Sequence, residues 1–142
     1  MKYISNKFFI EGKNIKSLAK NFNTPLYCYS YKNLRENIEN FKRAFKEIEP
    51  LICFSVKSNS NISLLKEIKK LGLGADVVSK GELYSSLKAG INKNKIVFSG
   101  VGKTKDEIEY AIKKQILLIN SESLSEVLVI EKAAKKLKKK SI

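Results

Sequence analysis

Four times between residues 51 and 137, a short apolar run is followed by a stretch of helical periodicity, and the units recur about 20 residues apart. No other feature narrows the fold as far. The runs are Leu51-Ile52-Cys53-Phe54-Ser55-Val56, Ala75-Asp76-Val77-Val78, Lys95-Ile96-Val97-Phe98-Ser99 and residues 116–120. Runs with so little polar alternation suit strands covered on both faces, as in a parallel sheet. The helical stretches cover 61–71, 80–89, 104–114 and 123–137. Right-handed crossovers then make all four strands parallel. Polar residues close each strand: Lys57, residues 76–79, Ser99 and Asn120. One more helix is predicted over 31–48, where Leu34, Ile38, Phe41, Phe45 and Ile48 recur at helical spacing before Pro50 closes the segment.

Two architectures accommodate four βα units: an open doubly wound sheet with a nucleotide at its switch point, or part of a (β/α)8 barrel whose site gathers at the C-terminal strand ends. The first should show GxGxxG after its opening strand. Here Gly72 to Gly74 precedes a strand, and Val77 stands where the third glycine belongs. Gly102-Lys103-Thr104 imitates the end of a phosphate loop, but Val97 occupies the position of its first glycine. The barrel is therefore favoured. It needs about 250 residues, so a chain of 142 is about half of one.

Composition removes several functions. Histidine is absent, which excludes a Ser-His-Asp triad, a Cys-His dyad and an HExxH zinc site built from this chain. Cys28 and Cys53 form no CxxC pair and complete no structural zinc set, so no metal is expected and both read as reduced thiols in a cytoplasmic protein. No apolar stretch approaches the about 20 residues of a membrane span, and the N-terminus does not read as a secretory signal. The net charge of +14 suggests nucleic acid. Yet only Arg35 and Arg43 of the 28 basic residues are arginine, and guanidinium forks dominate base and phosphate recognition. Specific nucleic-acid binding is not expected. The lysines read as solvated helix faces, with the densest cluster over 132–140 able to bind anions weakly.

Among residues that could carry chemistry, Lys57 is the most informative. A lysine closing so apolar a strand would be drawn to the barrel mouth, where loss of water favours the neutral, nucleophilic amine that forms Schiff bases. The alternative is a lysine that snorkels to solvent past the strand end. Asp76, on the neighbouring strand, could hydrogen-bond that lysine or a cofactor bound to it, or could be a turn-forming or capping carboxylate before Lys80. Ser79 and Ser99 read as helix caps, with phosphate binding the alternative. Glu82, Glu107 and Glu122 fall in first helical turns, where the helix dipole favours them without any functional role.

These places also carry a resemblance. Cys53-Phe54-Ser55-Val56-Lys57-Ser58-Asn59-Ser60-Asn61 is similar to the pyridoxal-phosphate lysine segment of the diaminopimelate decarboxylases. Gly74-Ala75-Asp76-Val77-Val78-Ser79-Lys80-Gly81-Glu82-Leu83 with Ala89-Gly90-Ile91 resembles that family's second unit. Ile96-Val97-Phe98-Ser99-Gly100-Val101-Gly102-Lys103-Thr104 resembles the third, and Asn120-Ser121-Glu122-Ser123 the fourth. Thr24-Pro25-Leu26-Tyr27 looks like the family's opening segment, so the match covers nearly the whole chain. Four motifs in order make it specific, where a lone lysine segment would not separate it from alanine racemases or ornithine decarboxylases.

The resemblance implies a fold type III pyridoxal-phosphate enzyme: an alanine racemase-like α/β barrel followed by a β domain, acting as a homodimer on a small amino-acid substrate. By position, Lys57 would hold the cofactor as the internal aldimine, and Asp76 would sit beside it. The family's reaction decarboxylates meso-2,6-diaminopimelate to L-lysine and carbon dioxide, the pyridinium ring taking up the electrons left behind. Residues 1–30 are then an N-terminal lead-in segment, and 31–142 a partial pyridoxal-phosphate-binding barrel. The family's His-x-Gly-Ser segment, glycine-rich phosphate loop, acidic partner of the pyridine nitrogen, substrate-binding arginine segment and C-terminal catalytic cysteine have no counterpart here. The chain stops after Ser141-Ile142, where a fifth strand should begin, and reads as an N-terminal fragment, inactive by itself, with the C-terminal β domain absent. Two alternatives stand beside this reading: a related decarboxylase of another basic amino acid, of ornithine or arginine type, and a non-catalytic basic binding module.

Overall fold

The computed structural model describes residues 2–139. Lys140, the end of the basic cluster, and the closing Ser141-Ile142 lie outside the described residues. The chain divides into two compact units, one up to Pro50 and one from Leu51.

The first unit opens with three short antiparallel strands, β1 (Lys2–Ile4), β2 (Lys7–Ile10) and β3 (Lys13–Asn14), in the order β1-β2-β3. The sequence reading assigned no structure here. Its turns are two-residue loops, Ser5-Asn6 and Glu11-Gly12, with positive φ at all four positions. That is the backbone a tight hairpin requires, but only Asn6 and Gly12 are residue types that announce it. Helix α1 (Ile15–Phe22) starts on an Asn14 cap. Helix α2 (Tyr31–Ala44) starts on Ser30, which accepts from Asn33 N at 3.0 Å. Glu11 joins hairpin to helix: its Oε1 accepts from Ser30 Oγ and Lys32 N, each at 2.7 Å. The predicted helix over 31–48 is a turn too long. Of its apolar stripe only Ile38 is buried, while Phe41 and Phe45 stay exposed and pack ring against ring at 4.7 Å.

The second unit is the βα repeat. Strands β4 (Cys53–Ser55), β5 (Gly74–Val77), β6 (Ile96–Phe98) and β7 (Leu118–Ile119) form one parallel sheet in sequence order. Ser55 is level with Asp76, Asp76 with Val97, and Val97 with Leu118. Helices α3 (Ile62–Lys70), α4 (Lys80–Lys88), α5 (Lys105–Lys114) and α6 (Leu124–Leu137) follow the strands in turn. Each starts on a side-chain cap from Asn61, Ser79, Thr104 or Ser123. Thr104 and Glu107 form a reciprocal capping box. The architecture is α/β, the N-terminal part of a (β/α)8 barrel with four parallel units, as the repeat spacing implied.

The two faces of the sheet differ. Val56, Ala75, Val77, Ile96 and Phe98 are fully buried, as are Leu65, Ile68 and Leu83 on the helices. The alternate residues Cys53, Ser55, Asp76, Val97 and Leu118 are only half-buried. Gly74 lies on that second face because nothing larger fits: a Cβ there would run into the Lys95 carbonyl and come within 2.8 Å of Cys53 Sγ. Helices α5 and α6 add a core of Ile108, Ile112, Ile130, Ala133 and Ala134, joined by Ile119 and Leu137. No helix among the described residues is long and apolar enough to cross a membrane.

Candidate active site

The C-terminal ends of the four parallel strands bring their closing polar residues into one row. Asp76 is the centre of it. Its Oδ2 accepts from Ser55 Oγ at 3.1 Å and its Oδ1 from Ser99 Oγ at 2.6 Å. Asn120 Nδ2 in turn donates to Ser99 Oγ at 3.0 Å. Four side chains, one from the end of each strand, are thus linked across the sheet. The register explains it. Ser55 and Asp76 are paired residues, and the ladder continues beyond the strands through Ser99 N to Val77 O (2.8 Å) and Asn120 N to Phe98 O (2.9 Å). Side chains on one face of a parallel sheet then fall side by side. Asp76 is therefore held by hydroxyls and does not cap α4; Ser79 does that, accepting from Glu82 N at 3.2 Å.

Lys57 lies in a 3-10 turn (Val56–Ser58) directly after β4. The turn follows from Asn59 N bonding back to Val56 O and from Ser58 Oγ donating to Ser55 O. Val56 is fully buried and anchors the turn, while Lys57 itself is exposed. The described residues do not enclose its side chain. Its amine makes no hydrogen bond or ion pair with any described residue.

A second lysine shows the opposite situation. Lys103 follows β6, and its side chain is 1% exposed. Its ammonium donates to Gly100 O and Asn120 O, each at 2.7 Å, and to both oxygens of Glu126 at 3.2 and 3.3 Å. An ammonium has three protons, and all three are used. The phosphate-loop look of Gly102-Lys103-Thr104 is thus a structural tie between β6, β7 and the start of α6. Reading the sequence could not assign it, since Glu126 is 23 residues away.

The remaining candidates are local. Ser99 serves Asp76 and caps nothing. Glu82 turns back to Val78 N at 2.9 Å. Glu107 accepts from Thr104 N and Oγ1 and from Lys80 N; the Thr104 amide foremost holds its carboxyl below the ordinary range. Glu122 precedes the Ser123 cap and so stands outside the first turn of α6, whose acidic residue is Glu126. Burial pushes the Cys53 thiol up, and the nearby Asp76 charge adds to this, against a weaker opposing pull from Lys95. Asn120 was visible as a strand-end polar residue, but its bond to Ser99 was not, and Ser55, read as part of the apolar run, was missed as a partner of Asp76.

The geometry is thus a row of polar groups around one carboxylate, with an exposed lysine, unpaired among the described residues, in the turn that follows the first of the four strands. A family model described as pyridoxal-dependent decarboxylase, pyridoxal binding domain, matches residues 31–141. The diaminopimelate decarboxylase of Aquifex aeolicus is 45% identical over 141 residues, covering 99% of this chain and 33% of that protein. The crystal structure of diaminopimelate decarboxylase from Helicobacter pylori complexed with L-lysine is similar with a TM-score of 0.85 at 44% identity, covering 90% of this chain and 32% of that one. A crystal structure from Aquifex aeolicus reaches a TM-score of 0.94 at 46% identity, covering 99% of this chain and 35% of that one. The chain spans about a third of the length of the curated relatives it matches.

Proposed function

Because the chain belongs to the pyridoxal-dependent decarboxylases, through their pyridoxal-binding domain, we propose that it is the lysine-bearing part of an enzyme that decarboxylates meso-2,6-diaminopimelate to L-lysine. The substrate comes from the name carried by relatives 44–47% identical to it. Residues 31–142 are read as the partial cofactor-binding barrel and 1–30 as the segment leading into it. The observation that carries the reading is the amine of Lys57, without a partner among the described residues, two residues beyond Ser55, which holds Asp76.

The residues fit pyridoxal phosphate by their chemistry. The cofactor's aldehyde needs a primary amine that no carboxylate or carbonyl has already claimed, and Lys57 meets that condition where Lys103 does not. Lys57 would hold the cofactor. Asp76, held by the Ser55 and Ser99 hydroxyls, would stand beside it and face its cationic groups. When bound, pyridoxal phosphate supplies an electron sink for the pair left on carbon as carbon dioxide departs. Lys57's exposed position leaves its amine within reach of an incoming aldehyde.

The test is borohydride reduction of the whole protein carrying this sequence in the presence of pyridoxal phosphate, followed by peptide mass mapping. The pyridoxyl label is expected on Lys57, and Lys57→Arg is expected to abolish it, because guanidinium stays protonated and forms no imine. Label on another lysine, or an active Lys57→Arg enzyme, would remove the central residue of this reading. Activity on ornithine or arginine in place of diaminopimelate would overturn the substrate alone.

A further inference from the structure

Ser99 is wired on both sides. A serine hydroxyl has one proton to give and accepts through its lone pairs. Asn120 Nδ2 donates to Ser99 Oγ at 3.0 Å, so the single serine proton is directed the other way, to Asp76 Oδ1 at 2.6 Å. An amide at residue 120 thereby sets the polarity of a bond two strands away. Ser55 Oγ holds the second carboxylate oxygen at 3.1 Å. Gripped at both oxygens from both neighbouring strands, the Asp76 carboxylate has its plane set. The backbone bonds of Ser99 N and Asn120 N extend the sheet ladder, so both side chains stand on rigid backbone and not on free loops. Helix capping, the ordinary work of a strand-end serine, is done for α5 by Thr104 and leaves Ser99 free for this.

We propose that Ser99, oriented by Asn120, is a positioning residue for Asp76, fixing its carboxylate as the anionic post beside which Lys57 and its cofactor are held. The proposal rests on the roles assigned above to Lys57 and Asp76. It assigns Asn120 a part too: its amide matters because it donates. A hydroxyl bond to an ionised acceptor is stronger than one to a neutral group, so its loss is large enough to measure.

The sequence contains two aspartates, Asp76 and Asp106. Carbon-13 labelling of aspartate carboxyls therefore gives two carboxylate bands in the infrared, with Asp106, exposed and paired with Lys80, as an internal reference. In the cofactor-free 142-residue chain, Ser99→Ala is expected to shift the Asp76 band and leave the Asp106 band in place. Asn120→Leu should shift it less, and Ser99→Thr, which keeps the hydroxyl, should restore it. In the whole protein, borohydride trapping of pyridoxal phosphate on Lys57 should slow roughly tenfold in Ser99→Ala and recover in Ser99→Thr. An unmoved Asp76 band in both Ser99→Ala and Asn120→Leu overturns the proposal, as does an equal shift of Asp106. Shifted bands with undiminished trapping overturn the positioning role. Shifted bands with no label on Lys57 even in the unmutated protein support the wiring of Asp76 and overturn the reading of Lys57. Asn120 is exposed, so its variant decides the matter if Ser99→Ala does not fold.

Discussion

Val97 and Phe98 are neighbours in β6, yet they lie on opposite faces of one sheet and in different surroundings. Phe98 is fully buried, together with Val56, Ala75, Val77 and Ile96 on its face. Val97 is half-buried and shares its face with Asp76, Ser55 and Leu118. One face is apolar and buried at its centre; the other is mixed, polar towards the strand ends and half-buried. The difference shows a division of labour. Apolar burial against helices gives the sheet its stability, and so the other face is free to carry residues chosen for chemistry. The two lysines repeat the contrast. Lys103 is enclosed and has every proton committed, while Lys57 is exposed and has none committed among the described residues.

The largest effect that could break this comparison belongs to Phe98. Phe98→Ala should destabilise the 142-residue chain by about 3–5 kcal/mol, read as a fall in the urea midpoint. Val97→Ala, one residue away, should cost about 1 kcal/mol or less, because a half-buried side chain leaves no closed cavity when trimmed. Equal costs at the two positions would mean that the second face is covered as fully as the first. The smallest effect concerns acid. Glu107 titrates below its ordinary 4.5 because the Thr104 and Lys80 amides bond its ionised form. A lowered folded-state value means the stabilisation is complete above 4.5 and is lost as the pH falls through that lowered value. Stability should therefore drop on acidification in the unmutated chain and drop less in Glu107→Gln. Superimposable pH curves would show that this cap contributes nothing to the closed face.

Much of this was legible in order along the chain. The spacing of apolar runs placed all four parallel strands and all four helices after them, with edges off by at most two residues. The cap Ser79 was legible because a cap and its helix are adjacent in sequence, whereas Ser99, read the same way, bonds Asp76 instead. The opening hairpins were missed, since Ser5 and Glu11 are poor signals for a left-handed turn. The last turn of the predicted helix over 31–48 failed too, because periodicity records which residues could be buried and not whether anything buries them.

By itself, then, the sequence determined the repeat, the parallel order, the Ser79 cap and most of the polar residues that close the strands. These are properties of neighbours in the chain, and local propensity and hydrophobic period suffice to read them. Only the tertiary structure decided which strand-end residues meet. Asp76 is 21 residues from Ser55 and 23 from Ser99, and a carboxylate in a sequence bears no mark of whether it caps a helix or faces a neighbour. Register settles that, and register is an agreement among strands; Ser55, Asp76, Ser99 and Asn120 became a single row when the sheet set them side by side. The same reason separates Lys57 from Lys103. Each ends or follows a strand, and the presence of Glu126 and two carbonyls around Lys103 makes it a tie, while Lys57 has no such partner among the described residues.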